Sequence, residues 1–238
     1  MRLLLADGTL LDTEQPATVA AFRQSQAALL EQLTQLGQQT RANTELAERI
    51  RYKYRLKNTT GLSLNALVDF DDPLDMLTHL LVGSEGTLGF ISSVTYHTVP
   101  EHPHKASALL VFADVESCCR AVPLLKQQPV AAVELLDRRS LRSVENMPGM
   151  PDWVRELSVG ACALLIESRA PSGLLLTEQI ARIMASVAHF ELEKQVDFST
   201  DPVIYNQLWK IRKETFPAVG AIRATGTTVI IEDVTFPV

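Results

Sequence analysis

A regular alternation of strand-like and helix-like runs after residue 103 is the feature that most constrains the fold of this chain. Strands are predicted where short runs are rich in apolar and β-branched residues, and helices where apolar residues recur every three or four positions. The predicted strands cover residues 106–112, 130–136, 161–168 and 191–197, and the predicted long helices cover residues 115–126 and 173–188. Two strand–helix–strand units with short connections indicate an α+β domain in which an antiparallel sheet carries helices on one face.

The first hundred residues predict a different organisation. An Asp-Gly pair at residues 7–8 is typical of a hairpin turn between two short apolar runs. A helical region over residues 18–51 follows, and we expect it to break near Gly37, because glycine is a poor helix former. The next predicted elements are a helix at residues 73–82, capped by the aspartates before it, and a strand at residues 90–99.

The segment between these two patterns predicts a domain boundary. Residues 100–104 contain Pro100 and Pro103 together with polar residues, and this composition stops regular structure. We therefore predict one domain at residues 1–100 and a second at residues 101–238. A helix at residues 201–214 and a final strand at residues 227–236 are expected to complete the second domain.

Composition and charge exclude several classes of protein. Apolar residues make up 46% and charged residues 21% of the 238 residues, as is typical of a globular chain. The net charge of −6 argues against nucleic-acid binding, since phosphate contacts need concentrated positive charge. No apolar run approaches the roughly 20 residues of a transmembrane helix, and no secretion signal is evident. We therefore predict a cytoplasmic protein, and the spacing of its cysteines and histidines predicts no metal site.

Residues 83–91, with the sequence GSEGTLGFI, form a glycine-rich segment between an apolar run and a predicted strand. Its three glycines allow backbone conformations that other residues disfavour, and they let another molecule approach the main chain. The serine and the glutamate add hydrogen-bonding groups. The spacing matches neither the dinucleotide-binding GxGxxG motif nor a phosphate loop. On composition alone a tight helix-to-strand turn is the simpler interpretation, and a cofactor-binding loop is the alternative.

Two later segments carry groups suited to a binding site. Trp209 and Arg212 share a face of a predicted helix within LWKIRKE at residues 208–214, and a guanidinium offers paired donors to a carboxylate. Asp233 lies in the predicted strand IEDVTFP at residues 231–237, where a buried acid would need a partner. The ordinary alternatives are a solvated basic helix end with the tryptophan in the core, and a strand with one outward polar face.

These segments, together with GLSLNAL at residues 61–67, resemble the FAD enzymes typified by vanillyl-alcohol oxidase, which have a PCMH-type FAD-binding domain. Within that superfamily they are most similar to the branch of glycolate oxidase and the D-lactate and D-2-hydroxyglutarate dehydrogenases. The resemblance implies that residues 1–100 are the C-terminal part of the FAD-binding domain with a helical insert, and that residues 101–238 are a truncated, ferredoxin-like cap domain. The residues that it implies for FAD are Gly83, Ser84, Glu85, Gly86, Gly89 and Ile91, and those for the substrate are Arg212 and Asp233.

The resemblance also implies an activity. Such enzymes oxidise a small D-2-hydroxy acid to the 2-oxo acid, and electrons pass from FAD to a carrier such as a quinone or a protein, or to an iron–sulfur module. Two segments expected of the family, a pyrophosphate-binding glycine loop and an HxGDGNxH segment with the catalytic histidine, have no counterpart in this sequence. We therefore expect an internal fragment of a large bacterial dehydrogenase, with weak or no FAD binding and no catalytic residue of its own. The alternative is a non-catalytic interaction or regulatory module on a flavin-domain scaffold.

Overall fold

A computed structural model of the protein describes residues 1–56, 58, 61–221 and 224–227, apart from the side chains of residues 216 and 219–221. These residues form two compact units, with unit 1 at Met1–Thr98 and unit 2 at residues 99–227. Each unit has its own hydrophobic core. None of the described helices has the length and apolar composition of a membrane-spanning segment. The assignment of residues 1–100 to an FAD-binding domain and of residues 101–238 to a cap domain stays a prediction.

Unit 1 combines a small sheet with a group of helices. Its described elements are β1 (Arg2–Leu4), β2 (Leu10–Asp12), α1 (Pro16–Ser25), α2 (Ala27–Ala42), α3 (Thr44–Lys53), α4 (Ala66–Asp69), α5 (Pro73–Leu81) and β3 (Phe90–Ser93). The strands form an antiparallel sheet in the order β2-β1-β3. The predicted hairpin is confirmed, and Gly8 in its turn has a φ of 86°. Strand β3 is shorter than predicted, because residues 94–99 have no strand partner among the described residues.

The expected helix break near Gly37 is wrong. The helical region breaks at Gln26 and Asn43 instead, and Gly37 is buried in the middle of α2. A β-carbon at Gly37 would lie 2.7 Å from Cε of Met76 on α5, so glycine leaves room for the end of that side chain between the two helices. The tertiary contact therefore outweighs the poor helix propensity of glycine.

Asp72 starts helix α5, as the sequence predicted. Its carboxylate accepts a hydrogen bond of 2.8 Å from the backbone N–H of Leu74 and one of 2.6 Å from Nη2 of Arg23. Burial by itself would raise the pKa of Asp72, but the hydrogen bonds from Arg23 and Leu74 outweigh it and hold the pKa below its ordinary value. The cap fixes the first turn of α5, whose apolar residues fill the core of unit 1.

Unit 2 is built on a four-stranded antiparallel sheet. Its described elements are β4 (His104–Phe112), α6 (Val115–Leu125), β5 (Ala132–Asp137), α7 (Arg138–Val144), α8 (Trp153–Glu156), β6 (Cys162–Ala170), α9 (Gly173–Val187), β7 (Leu192–Ser199) and α10 (Pro202–Ala221). The strand order β5-β6-β4-β7 is that of a ferredoxin-like fold, in which two strand–helix–strand units interlock. The predicted α+β class is confirmed. The predicted final strand at residues 227–236 lies outside the described residues, apart from Thr227.

Both faces of this sheet are covered by helices. The connecting helices α6 and α9 pack on one face, against a cluster that includes Leu110 and Leu164. The opposite face, here called the α10 face, packs residues such as Leu109 and Leu165 against α7, α8 and α10. The sequence predicted helices on one face only. The additional helices come from segments outside the two repeated units, and they bury the alternate row of strand side chains.

Two of the cysteines of unit 2 serve packing. Cys118 on α6 and Cys162 on β6 are fully buried in the same apolar cluster. The neighbouring thiol of Cys162 and the burial of Cys118 both raise the pKa of Cys118. This thiol therefore stays protonated at neutral pH, which makes it a poor nucleophile.

We expect the substitution Asp72→Ala to lower the free energy of unfolding by about 1 kcal/mol at neutral pH, because it removes a helix cap. The pKa of Asp72 is lowered in the folded protein, so its contribution is complete above the unfolded pKa of about 3.9 and is lost as the pH falls through the folded value. Urea titrations followed by circular dichroism should therefore show the difference between the two proteins shrinking as the pH falls below the unfolded pKa.

The neighbouring substitution Asp71→Ala is the matched control. The side chain of Asp71 is 98% exposed and lies 3.5 Å from Arg41, so its loss should change the free energy of unfolding by less than about 0.5 kcal/mol. Equal losses for the two substitutions would contradict the capping role of Asp72.

Candidate functional site

The glycine-rich segment forms a left-handed turn directly after helix α5. Gly83, Glu85 and Gly86 have φ values of 83°, 51° and 80°, and Glu85 is the only non-glycine residue with positive φ among those described. The backbone N–H of Thr87 donates to the carbonyl oxygen of Ser84 at 3.0 Å and closes the turn. Positive φ at both central residues is the geometry of a type I′ turn, which glutamate adopts only at a cost. Such local strain is typical of binding sites.

The segment GLSLNAL, which is part of the family resemblance, lies beside this turn. A β-carbon at Gly83 would meet the carbonyl oxygen of Gly61 at 3.2 Å, and the hydroxyl of Ser63 donates to the carbonyl of Val82 at 2.9 Å. Residues 61–67 therefore support the turn from one side, and the two motifs form one local structure.

Glycine is favoured at the three positions of the turn for different physical reasons. Gly83 and Gly86 both need positive φ, and the space around Gly86 is open, because a β-carbon there would have no atom within 4 Å. Gly89 is required by packing, because a β-carbon there would lie 3.1 Å from Cδ2 of Leu81 and 3.2 Å from the carbonyl oxygen of Leu4. The requirement for glycine at position 89 is thus explained within unit 1.

A pocket of about 360 Å³ lies at the turn, and its lining includes all six residues that the sequence assigned to FAD. The lining consists of Leu81, Gly83, Ser84, Glu85, Gly86, Gly89, Phe90 and Ile91. Ser84 is only 4% exposed, and its hydroxyl makes no hydrogen bond with any described residue. The backbone N–H groups of Glu85 and Gly86 likewise find no acceptor in the described part of the chain.

These groups fit a polar part of a flavin. The Ser84 hydroxyl donates to no described residue, so it can donate to a ligand oxygen. Backbone N–H groups in a left-handed turn can donate to carbonyl or phosphate oxygens, and glycine permits their close approach. The donor set of the turn therefore suits an oxygen-bearing cofactor edge.

Arg212, the predicted carboxylate-binding residue, lies in α10 and is 41% exposed. Its Nε donates to Oε2 of Glu134 on β5 at 2.9 Å. Its two Nη groups donate to no described residue. The side chain is thus held at one edge while its paired donors are free of described partners, an arrangement that suits a carboxylate ligand.

A second polar chain runs across the α10 face beside Arg212. Nε1 of Trp209 donates to the hydroxyl of Ser107 at 3.0 Å, and that hydroxyl donates to Oε2 of Glu167 at 3.2 Å. Glu167 is almost fully buried, and its other oxygen accepts a hydrogen bond of 2.6 Å from Nε of Arg169. Glu134, Ser107 and Glu167 were not among the predicted site residues. Their polar character at inward-facing positions of predicted strands was the available signal.

The other predicted substrate residue, Asp233, lies outside the described residues. Lys210 is exposed and donates to the carbonyl of Pro148 at 3.0 Å, and Lys213 is exposed as well. These two lysines are surface charges.

Comparison with known proteins identifies the family. Residues 101–238, more than half of the chain, match the sequence model described as FAD linked oxidases, C-terminal domain. This chain belongs to the FAD-linked oxidases. FAD is the cofactor of that family. The ferredoxin-like unit 2 lies within the matched residues.

Several relatives of this FAD-linked oxidase are dehydrogenases or oxidases of hydroxy acids by name. The mitochondrial D-lactate dehydrogenase (cytochrome) of Arabidopsis thaliana is 29% identical over 163 residues, which make up 68% of this chain and 27% of the relative. D-lactate dehydrogenase of Anaerostipes hadrus is 25% identical over 61% of this chain and 31% of the relative. Glycolate oxidase subunit GlcD of Bacillus subtilis is 24% identical over 68% of this chain and 33% of the relative. The chain spans about a third or less of the length of these relatives.

The backbone role of Gly86 and the packing role of Gly89 can be separated by replacing each of them with asparagine. Gly86→Asn should lower the free energy of unfolding by less than about 1 kcal/mol, because the space is open and asparagine tolerates left-handed backbone. Gly89→Asn should cost about 1–3 kcal/mol, because its side chain meets Leu81 and the Leu4 carbonyl. Urea unfolding followed by circular dichroism measures both values. Losses of the same size would contradict the packing role of Gly89.

Proposed function

We propose that this chain supplies flavin contacts and a substrate-binding arginine to an FAD-dependent dehydrogenase that oxidises a D-2-hydroxy acid to the 2-oxo acid. The observation that carries the proposal is the state of Arg212, whose Nε is held by Glu134 while both Nη groups have no described partner. A carboxylate is the ligand that matches this pair of donors best. The family match supports the oxidoreductase class, and the names of the relatives support hydroxy acids as substrates.

The flavin contacts are assigned to the turn in unit 1. In this proposal Ser84 and the N–H groups of Glu85 and Gly86 donate hydrogen bonds to the cofactor, while Gly83 and Ile91 form the adjoining wall with Gly89. FAD, when bound, supplies the two-electron acceptor that hydroxy-acid oxidation requires. The turn itself moves no proton. Its role is to hold the cofactor and to exclude water from the face that it covers.

Substrate binding is assigned to unit 2. Two parallel N–H···O bonds from Arg212 would fix the plane of the substrate carboxylate, and therefore the direction of the bonds at the neighbouring α-carbon. Such orientation converts binding energy into a favourable geometry for removal of the α-hydrogen. We also propose Asp233 as a substrate-side residue, on the sequence motif alone.

Candidate substrates and electron acceptors can be named from the chemical groups that this assignment requires. D-lactate, glycolate and D-2-hydroxyglutarate all carry the carboxylate and the adjacent hydroxyl that this assignment needs. A quinone, a protein carrier or an iron–sulfur module is the proposed acceptor, because each can take electrons from a reduced flavin. Dye reduction by the FAD-loaded holoenzyme with each acid tests the proposal, and no reduction with any hydroxy acid would overturn it.

The role of Arg212 is tested by Arg212→Ala in the holoenzyme. Losing the paired, charge-assisted hydrogen bonds should raise KM for the hydroxy acid about 10- to 100-fold, with a smaller effect on kcat. Steady-state dye reduction measures both constants. Lys213→Ala, which removes an exposed positive charge from the next position, is the control and should leave KM within about twofold. If the KM of Arg212→Ala also stays within about twofold of the original, Arg212 does not bind the substrate carboxylate.

The role of Ser84 is tested by FAD titration of Ser84→Ala. The substitution removes a buried hydroxyl that has no described partner, so FAD affinity should fall about 3- to 10-fold, the value of one hydrogen bond. Quenching of flavin fluorescence measures the affinity. Ser93→Ala, at an exposed position of the same unit, serves as the control. Unchanged affinity for Ser84→Ala would exclude Ser84 as a donor to the flavin.

A further inference from the structure

Glu134 lies on the edge strand of the unit 2 sheet, beside an apolar core. It lies in the row of β5 side chains on the α10 face, between Ala132 and the buried Leu136, and it pairs in register with the fully buried Leu165 on β6. Leu136 and Leu165 belong to the apolar core of the α10 face, whereas Glu134, on the edge strand β5, is 38% exposed at the rim of that core. From this position its carboxylate reaches Arg212 on α10.

The ion pair of Glu134 with Arg212 contributes little to folding. The two side chains are 38% and 41% exposed, so solvent screens their attraction. Its geometric effect is larger. A guanidinium is planar and rigid, so a hydrogen bond at Nε fixes the direction in which the Nη donors are presented.

The helix that carries Arg212 is restrained independently. Trp209, three residues earlier on α10, is tied through its Nε1 to Ser107 and from there to the buried carboxylate of Glu167. These hydrogen bonds restrain the rotation of α10 over the sheet, because they join Trp209 on α10 to Ser107 on β4. The hydrogen bonds of Trp209 do not restrain the long side chain of Arg212. The described group that restrains it is Glu134.

We propose that Glu134 is a positioning residue for substrate binding, which holds Arg212 at Nε so that both Nη groups are presented to the substrate carboxylate. The proposal rests on the carboxylate-binding role of Arg212. It predicts that Glu134 acts only through Arg212, and that an uncharged acceptor of the same shape can replace it. The amide oxygen of glutamine is such an acceptor.

The experiment is a double-mutant cycle in the holoenzyme with the most active of the three hydroxy acids. Glu134→Ala should raise KM about 3- to 10-fold and change kcat by less than about twofold, because the loose guanidinium binds the carboxylate less well. Glu134→Gln should restore KM to within about twofold of the original. In the Arg212→Ala background, Glu134→Ala should have no further effect on KM.

The controls separate this inference from the proposed function. Asp152→Ala removes a comparable exposed ion pair, with Arg155, elsewhere in unit 2 and should leave KM unchanged. If Arg212→Ala raises KM but Glu134→Ala does not, or lowers it, the positioning role is wrong and the carboxylate role of Arg212 stands. The positioning role is also wrong if Glu134→Ala raises KM by the same factor in the original protein and in the Arg212→Ala variant. If Arg212→Ala leaves KM unchanged, the proposed function itself fails.

Discussion

The antiparallel ladder between β4 and β6 is the interaction on which unit 2 depends. It pairs residues continuously from His104 with Ala170 to Phe112 with Cys162, and both strands are central in the sheet. Side chains alternate between the two faces, so this one register assigns Leu110 to the core under α6 and α9 and Leu109 to the core under α10. A slip by one residue would exchange the two cores. The same register places Ser107 opposite Glu167, and the polar chain to Trp209 depends on it.

In unit 1 the corresponding constraint is local. The turn after α5 adopts left-handed backbone at Gly83, Glu85 and Gly86, and it is supported by residues 61–67 through Gly61 and Ser63. Folding therefore maintains an unfavourable conformation at Glu85 and leaves the Ser84 hydroxyl without a described partner. The packing of the rest of unit 1 offsets the cost of the Glu85 conformation.

The sequence predicted the features that depend on local patterns. Apolar runs identified the central strands closely, and the Asp72 cap followed from the residues around Pro73. Features that depend on distant residues were not predictable in this way. Gly37 was misinterpreted because its contact with Met76 is tertiary. The Glu134–Arg212 pair joins residues 78 positions apart, and it depends on strand register and helix rotation together. The motif identified Arg212 but gave no indication of its partner.

The contact between Gly37 and Met76 has a consequence for how this chain can vary. The thioether of Met76 occupies the volume that any side chain at position 37 would need, and Met76 is itself fully buried. A larger residue at position 37 therefore requires the Met76 side chain to shift or to be replaced by a smaller one. Because the two positions share one volume, we expect the effect of a substitution at one to depend on the residue at the other.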